Sequence, residues 1–207
     1  MLRAHKNNKK NNFIAGWYIE DSLVCDNIIR FYNKNSNYIN RGAMGVNGKI
    51  DLDKKNSFDL GLDSDDNREP LLSYKENLSK ILELYKNKYK MCSEQQNQWG
   101  LYEGYNIQKY PKEGGYPAWH YENTGYEYRI NRHLVFMTYL NDVLKEGETE
   151  FMYQKIKIKP EKGLTLIWPA TWEYTHRGNI CFNQEKYIIT GWYSYKIVVK
   201  QTQQEYY

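Results

Sequence analysis

The spacing of apolar positions divides the chain near residue 99. Before that point it is helical. Leu23, Val24, Ile28, Phe31 and Tyr32 follow Asp21 and Ser22, either of which can cap a helix. Leu71, Tyr74, Leu78, Ile81, Leu82, Tyr85 and Tyr89 follow Pro70, a residue suited to a first helical position. Their spacing predicts a long amphipathic helix whose stripe packs on a sheet. A short apolar run at 13–18 predicts an opening strand. Residues 33–48 read as loop, and 49–70 as charged and irregular. Asp63, Asp65 and Asp66 suit a solvated turn better than a metal loop.

After residue 99 the pattern changes to short strands, expected at 105–110, 132–140, 151–158, 164–168 and 186–193. The 132–140 run is apolar on both alternations, with Leu134, Phe136 and Leu140 against Val135, Met137 and Tyr139, so it predicts a strand covered on both faces. Gly114 and Gly115 are expected to turn the chain before a strand ending near His120. Two helices followed by a run of strands predict a mainly β fold with supporting α-helices, a β-sandwich or jelly roll. At 207 residues one domain is expected. Residues 1–12 read as a disordered basic tail, 19–98 as helical support and 99–198 as the β core.

Charge and cysteines narrow the function classes. The net charge is +4, and Arg3, Lys6, Lys9 and Lys10 lie in the tail, which disfavours a nucleic-acid surface. Three widely spaced cysteines, Cys25, Cys92 and Cys181, form no zinc pattern and suit a reducing compartment. No run is long and apolar enough for a membrane helix, and the N-terminus lacks the apolar core of a secretory signal. The expectation is a soluble cytoplasmic protein.

The candidate chemistry rests on few residues. Among four histidines, His5 lies in the tail and His133 inside an apolar strand, and neither is assigned a metal. His120 and Glu122 are two apart, so on an extended strand both leave one face. His176 would complete a facial triad of two histidines and a carboxylate, a donor set that leaves positions open and suits non-haem Fe(II). A His-x-Glu pair alone recurs by chance, and a lone strand histidine is more often structural. Here each ligand is flanked by glycine and aromatics.

The same stretch resembles the prolyl 4-hydroxylase-like branch of the Fe(II)- and 2-oxoglutarate-dependent dioxygenases. The matching pieces are Tyr110-Pro-x-x-Gly-Gly-Tyr-x-x-x-His120-x-Glu122, Tyr139-Leu-Asn, Gly147-Glu-Thr-Glu-Phe151, Lys162-Gly-Leu-Thr-Leu-Ile-Trp-Pro169, His176 and Lys186-Tyr-Ile-Ile-Thr190-Gly-Trp192, in family order. The resemblance implies a double-stranded β-helix (cupin-like jelly roll), with residues 13–207 as a single dioxygenase domain. It implies iron on His120, Glu122 and His176, and Lys186 on the distal carboxylate of 2-oxoglutarate. Tyr110, Tyr139, Thr190 and Thr149 would line the co-substrate pocket, and Trp192 would pack beneath the site. Arg177, directly after His176, is a candidate substrate residue, with a surface arginine as the equal alternative. No catalytic side chain beyond the metal ligands is implied.

The implied activity is hydroxylation of an unactivated C–H bond in a prolyl residue of a peptide or protein. It would consume O2, release succinate and CO2, and use ascorbate as a candidate reductant. The alternatives are a hydroxylase of a free amino acid or other small molecule, and a non-catalytic jelly-roll binding module. A nucleic-acid demethylase is disfavoured, since the two spaced arginines expected after the second histidine are absent. One departure stands out. Most relatives carry Asp where this chain has Glu122.

Overall fold

The computed structural model describes residues 2–45, 47–94 and 97–196. The last two residues of the expected core, 197 and 198, and the first of the expected tail lie outside them. The chain opens with β1 (Ala15–Tyr18) and α1 (Leu23–Lys34), then two short strands, β2 (Asn40–Arg41) and β3 (Phe58–Leu62), and the long helix α2 (Leu71–Lys88). The core follows as β4 (Trp99–Gly100), β5 (Tyr105–Tyr110), β6 (Gly114–His120), β7 (Arg132–Tyr139), β8 (Thr149–Phe151), β9 (Ile156–Ile158), β10 (Leu164–Pro169), β11 (His176–Cys181) and β12 (Lys186–Tyr195).

These strands form two antiparallel sheets, the jelly-roll architecture expected. The larger runs β1-β10-β7-β12-β5-β3-β2, with β4 also paired to β12, and the smaller runs β6-β11-β8-β9. Alternation along the large sheet builds two cores. On one face Leu134, Phe136, Ile167, Ile189 and Tyr193 meet Val24, Ile28, Leu71, Tyr74, Leu78 and Ile81 of the helices. On the other Val135, Met137, Tyr139, Leu166, Trp168 and Ile188 meet Phe151, Ile156 and Ile158 of the small sheet. The 3.6-residue stripe of α2 thus covers one side of β7, as its spacing requires. The Tyr74 hydroxyl extends that contact as a buried hydrogen bond to Thr138 Oγ1 at 2.9 Å, and Thr138 bonds Thr165 at 2.7 Å.

Several expectations are corrected. The basic N-terminal stretch is not a disordered tail. His5 and Asn7 are buried, and Arg3 lies 3.4 Å over the Tyr18 ring. Asn8 presents both halves of its amide to Gly16, donating to its carbonyl at 2.9 Å and accepting from its N–H at 2.7 Å. The segment covers the open edge of β1, which would otherwise expose unpaired backbone groups. Gly114 and Gly115 begin β6, and the turn lies just before them, where Glu113 takes φ 63°. The run 151–158 is two strands, β8 and β9, joined by a turn in which Lys155 takes φ 51°. β2, β3 and β11 fall in stretches read as loop or left unassigned.

Gly191, in the middle of β12, has no room for a side chain. A Cβ there would lie 2.5 Å from Tyr105 Cβ and 2.6 Å from Phe136 Cζ. Gly191→Ala is expected to cost about 1–3 kcal/mol through overpacking. Equilibrium urea denaturation against the native chain measures this, and an unchanged midpoint would show that the neighbouring rings yield freely.

Candidate metal centre

The small sheet brings the two histidines together. β11 pairs antiparallel with β6, placing His176 directly opposite His120, and the imidazole centroids stand 4.4 Å apart. The strand ends at His120, so Glu122 lies just beyond it. Its backbone N–H donates to the Ala170 carbonyl at 3.1 Å, and that of Asn123 to the same oxygen at 2.8 Å. These bonds hold the carboxylate level with the rings. Glu122 Oε1 is 3.7 Å from His120 Nε2 and 3.8 Å from His176 Nε2, and one donor atom from each residue lies within 4.8 Å of the others. This is the only such group of three or more candidate ligands among the described residues.

The donors are prepared for a cation. His120 Nδ1 faces the Ala118 carbonyl and His176 Nδ1 the Tyr174 carbonyl, both at 2.9 Å. A carbonyl only accepts, so each Nδ1 must carry the proton and donate it, leaving a lone pair on each Nε2. Burial, and then the neighbouring His176, depress the His120 pKa from 6.5 to about 3, and burial lowers that of His176. Both rings are therefore neutral near pH 7. Burial alone would raise the Glu122 carboxyl, but its neighbours, among them the Arg132 guanidinium and the Trp192 hydrogen bond, outweigh it and hold the group below its ordinary value. Two neutral nitrogen donors and one carboxylate oxygen fit a ferrous ion, with sites left for other ligands.

The centre opens into a cavity of about 910 Å³. Lys186, Tyr110, Tyr139, Thr149 and Thr190, all expected near the co-substrate, line it, as does Trp192, expected beneath the site. Lys186 is 2% exposed. Its ammonium lies 4.9 Å over the Tyr110 ring and donates to the Gly147 carbonyl at 2.9 Å and the Asn179 carbonyl at 3.4 Å. No carboxylate of the described residues forms an ion pair with it, and burial lowers its pKa. A buried ammonium without a counter-ion is costly, so the pocket fits the distal carboxylate of 2-oxoglutarate. Nearby, Tyr139 donates its hydroxyl to Thr149 Oγ1 at 2.6 Å, Tyr110 to Gln108 Oε1 at 2.7 Å, and Thr190 to the Phe136 carbonyl at 2.9 Å.

Of its two alternatives Arg177 takes the surface one, and the substrate-facing place is corrected. It leaves the opposite face of β11, pairs with Glu150 at 2.8 Å and lies 4.3 Å over Trp119, so it does not point towards the cavity. Trp192 does more than pack beneath the site, because its indole N–H donates to Glu122 Oε2 at 2.9 Å. Sequence reasoning also missed Tyr116, stacked on His120 with centroids 3.8 Å apart, and the buried Lys55–Asp59 pair at 2.6 Å. Tyr116 sits on the cavity-facing alternation of β6, four residues before His120, which was the available signal. Lys55 and Asp59 carried none, since charged residues in an irregular stretch are usually solvated.

Residues 105–194 match the family model described as the 2OG-Fe(II) oxygenase superfamily. Solved structures add likeness of fold over nearly the whole chain. A Pseudomonas putida prolyl-4-hydroxylase aligns with TM-score 0.67 and 12% identity, covering 90% of this chain and 95% of that one. The viral collagen prolyl hydroxylase of Paramecium Bursaria Chlorella virus-1, in its 2OG complex, aligns with TM-score 0.62 and 19% identity over 88% and 96%. A Trichoplax adhaerens prolyl hydroxylase, in complex with a hypoxia inducible factor oxygen degradation domain peptide fragment, aligns with TM-score 0.68 and 16% identity over 91% and 86%. No curated protein matches the chain in sequence.

The depressed histidines give the metal-free protein a defined pH dependence. Between the His120 pKa of about 3 and its ordinary 6.5 the unfolded chain binds more protons than the folded one. Stability should therefore be full above that window and fall as pH drops through it. His120→Gln is expected to flatten the upper part of the slope, measured as the urea midpoint against pH. An unchanged slope would mean that His120 titrates as it does in solution.

Proposed function

We propose that this chain, whose core belongs to the 2OG-Fe(II) oxygenase superfamily and whose fold is that of its prolyl 4-hydroxylase-like branch, hydroxylates a prolyl residue in a peptide or protein. The observation that carries the oxygenase reading is the meeting, in one cavity, of three converged ligands and a buried lysine with no carboxylate counter-ion among the described residues. Fe(II) with 2-oxoglutarate supplies the oxidising chemistry that a C–H bond needs, with succinate and CO2 as co-products.

The chain's own residues supply placement. His120, Glu122 and His176 hold the ion. Lys186 anchors the far carboxylate by charge-assisted hydrogen bonding, and its carbonyl partners keep the ammonium aimed before the co-substrate arrives. Tyr139 and Thr149 set hydroxyls beside it, while Met137 and Ile188 give the same wall apolar surface that excludes water. A peptide substrate is supported by the outer half of the cavity. Its floor carries Asn40, Asp59 and Gln108 on one row of paired strands and Asn106 and Thr190 on the next, polar groups suited to an extended backbone. The Trichoplax relative, similar in fold, holds a peptide fragment.

The test is 2-oxoglutarate turnover with Fe(II), with and without proline-containing peptides. Succinate that rises only with peptide is expected. Turnover stimulated instead by free amino acids would overturn the peptide substrate but keep the oxygenase, and no turnover with no iron retained would overturn both. His176→Ala should abolish iron-dependent turnover. Lys186→Ala should raise the apparent KM for 2-oxoglutarate by roughly tenfold to a hundredfold, the worth of one charged hydrogen bond, with metal affinity unchanged. An unaltered KM would remove Lys186 from that role.

A further inference from the structure

The three ligands alone do not explain how a glutamate serves here. Its side chain has one more rotatable bond than aspartate, so its carboxylate can swing, and fixing that freedom costs entropy. The structure restrains it at the oxygen facing away from the histidines. Glu122 Oε2 accepts from Arg132 Nη1 at 3.1 Å and from Trp192 Nε1 at 2.9 Å, which leaves Oε1 nearly equidistant from the two Nε2 atoms.

Both donors are themselves held. The Arg132 side chain is 5% exposed, and its guanidinium lies 3.5 Å over the Trp192 ring. It also pairs with Glu103, Nη2 to Oε2 at 2.9 Å, while the other oxygen of Glu103 accepts from the Ser194 hydroxyl. Arg132 and Ser194 are directly opposite on β7 and β12. The chain of contacts therefore closes on itself, from Glu122 through Arg132, Glu103 and Ser194 along β12 to Trp192 and back to Glu122. One guanidinium shared by two carboxylates leaves no buried charge of the three unpaired.

We propose that Arg132 and Trp192 are positioning residues that clamp Glu122 as a one-oxygen ligand, and that this clamp is what allows the longer carboxylate to stand in the place of aspartate. The proposal rests on the metal-site reading above. It predicts coupling, since a donor set spaced for the longer side chain should matter to Glu122 and matter little to a shorter one.

The experiment measures Co(II) affinity of the metal-free protein by visible absorption, which needs no turnover. Trp192→Phe, which keeps a ring but removes the N–H, and Arg132→Lys are each made in the native chain and together with Glu122→Asp. With Glu122 in place, each is expected to weaken Co(II) binding roughly tenfold or more, the usual effect of losing a partner of a metal ligand. In the Glu122→Asp background the same changes should cost less than about threefold, because the interaction they remove is absent there. Equal losses in both backgrounds, or none with Glu122, would overturn the clamp. A native protein that binds no Co(II) would overturn the metal site and the clamp with it. Circular dichroism checks folding, and should Arg132→Lys unfold, the Trp192→Phe pair decides.

Discussion

The pairing of His176 with His120 across β11 and β6 is the constraint on which the functional site depends. An antiparallel ladder allows few registers, and a slip by one residue would turn either imidazole to the outer face of the small sheet. Arg177 shows what that outer face is like, half-exposed and engaged with Glu150 and Trp119. Register alone would still leave the rings free to rotate. The Ala118 and Tyr174 carbonyls remove that freedom, each two residues before its histidine, so the strand that places a ring also chooses its tautomer. The site is thus prepared by backbone geometry before any ion arrives.

Much of this could be read from the chain, and the reasons are physical. The helices were legible because each buries one stripe on a single apolar surface. β7 was legible because both its faces meet a core. The strands that escaped are those whose inward face must be polar. β3 alternates Asp59 and Gly61 towards the cavity with Leu60 and Leu62 towards the helices, and β11 offers His176 and Gly178 to the cavity. A strand that lines a polar cavity loses the alternation by which strands are recognised. The split between β8 and β9 was hidden because Lys155, not glycine or proline, makes the turn. The N-terminal stretch looked disordered by composition, yet its asparagines supply amides that mimic a neighbouring strand. Of the site, the ligands were legible as a motif, whereas Glu103, Arg132 and Ser194 meet only through folding.

The buried charges of the cavity separate structural from functional roles. Lys55 is paired with Asp59, which also accepts from Ser57 and Gln108, so its charge is neutralised within the chain. Arg132 is shared between Glu103 and Glu122. Lys186 has two backbone carbonyls and the Tyr110 ring, and no carboxylate partner among the described residues. Dipoles orient an ammonium but do not cancel its charge, and its lowered pKa reflects the cost. Under the proposed function a dicarboxylate reaching from the metal would supply the missing charge, so Lys186 and the three candidate ligands are two ends of one recognition problem.

Strand β12 links those ends. Lys186, Ile188, Thr190 and Trp192 all face the cavity from it, while β7 and β5 grip it on either side. It therefore carries the proposed co-substrate anchor at its start and, near its end, the Trp192 hydrogen bond that restrains the Glu122 carboxylate. The imidazoles ride on the other, smaller sheet, and Glu122 reaches between the two. An ion held by all three ligands would stabilise the folded chain by mass action. The absence of room at Gly191 acquires its meaning here. A displacement of β12 would move the lysine and the tryptophan together, so the close packing that fixes this strand also fixes the distance between Lys186 and the candidate metal ligands.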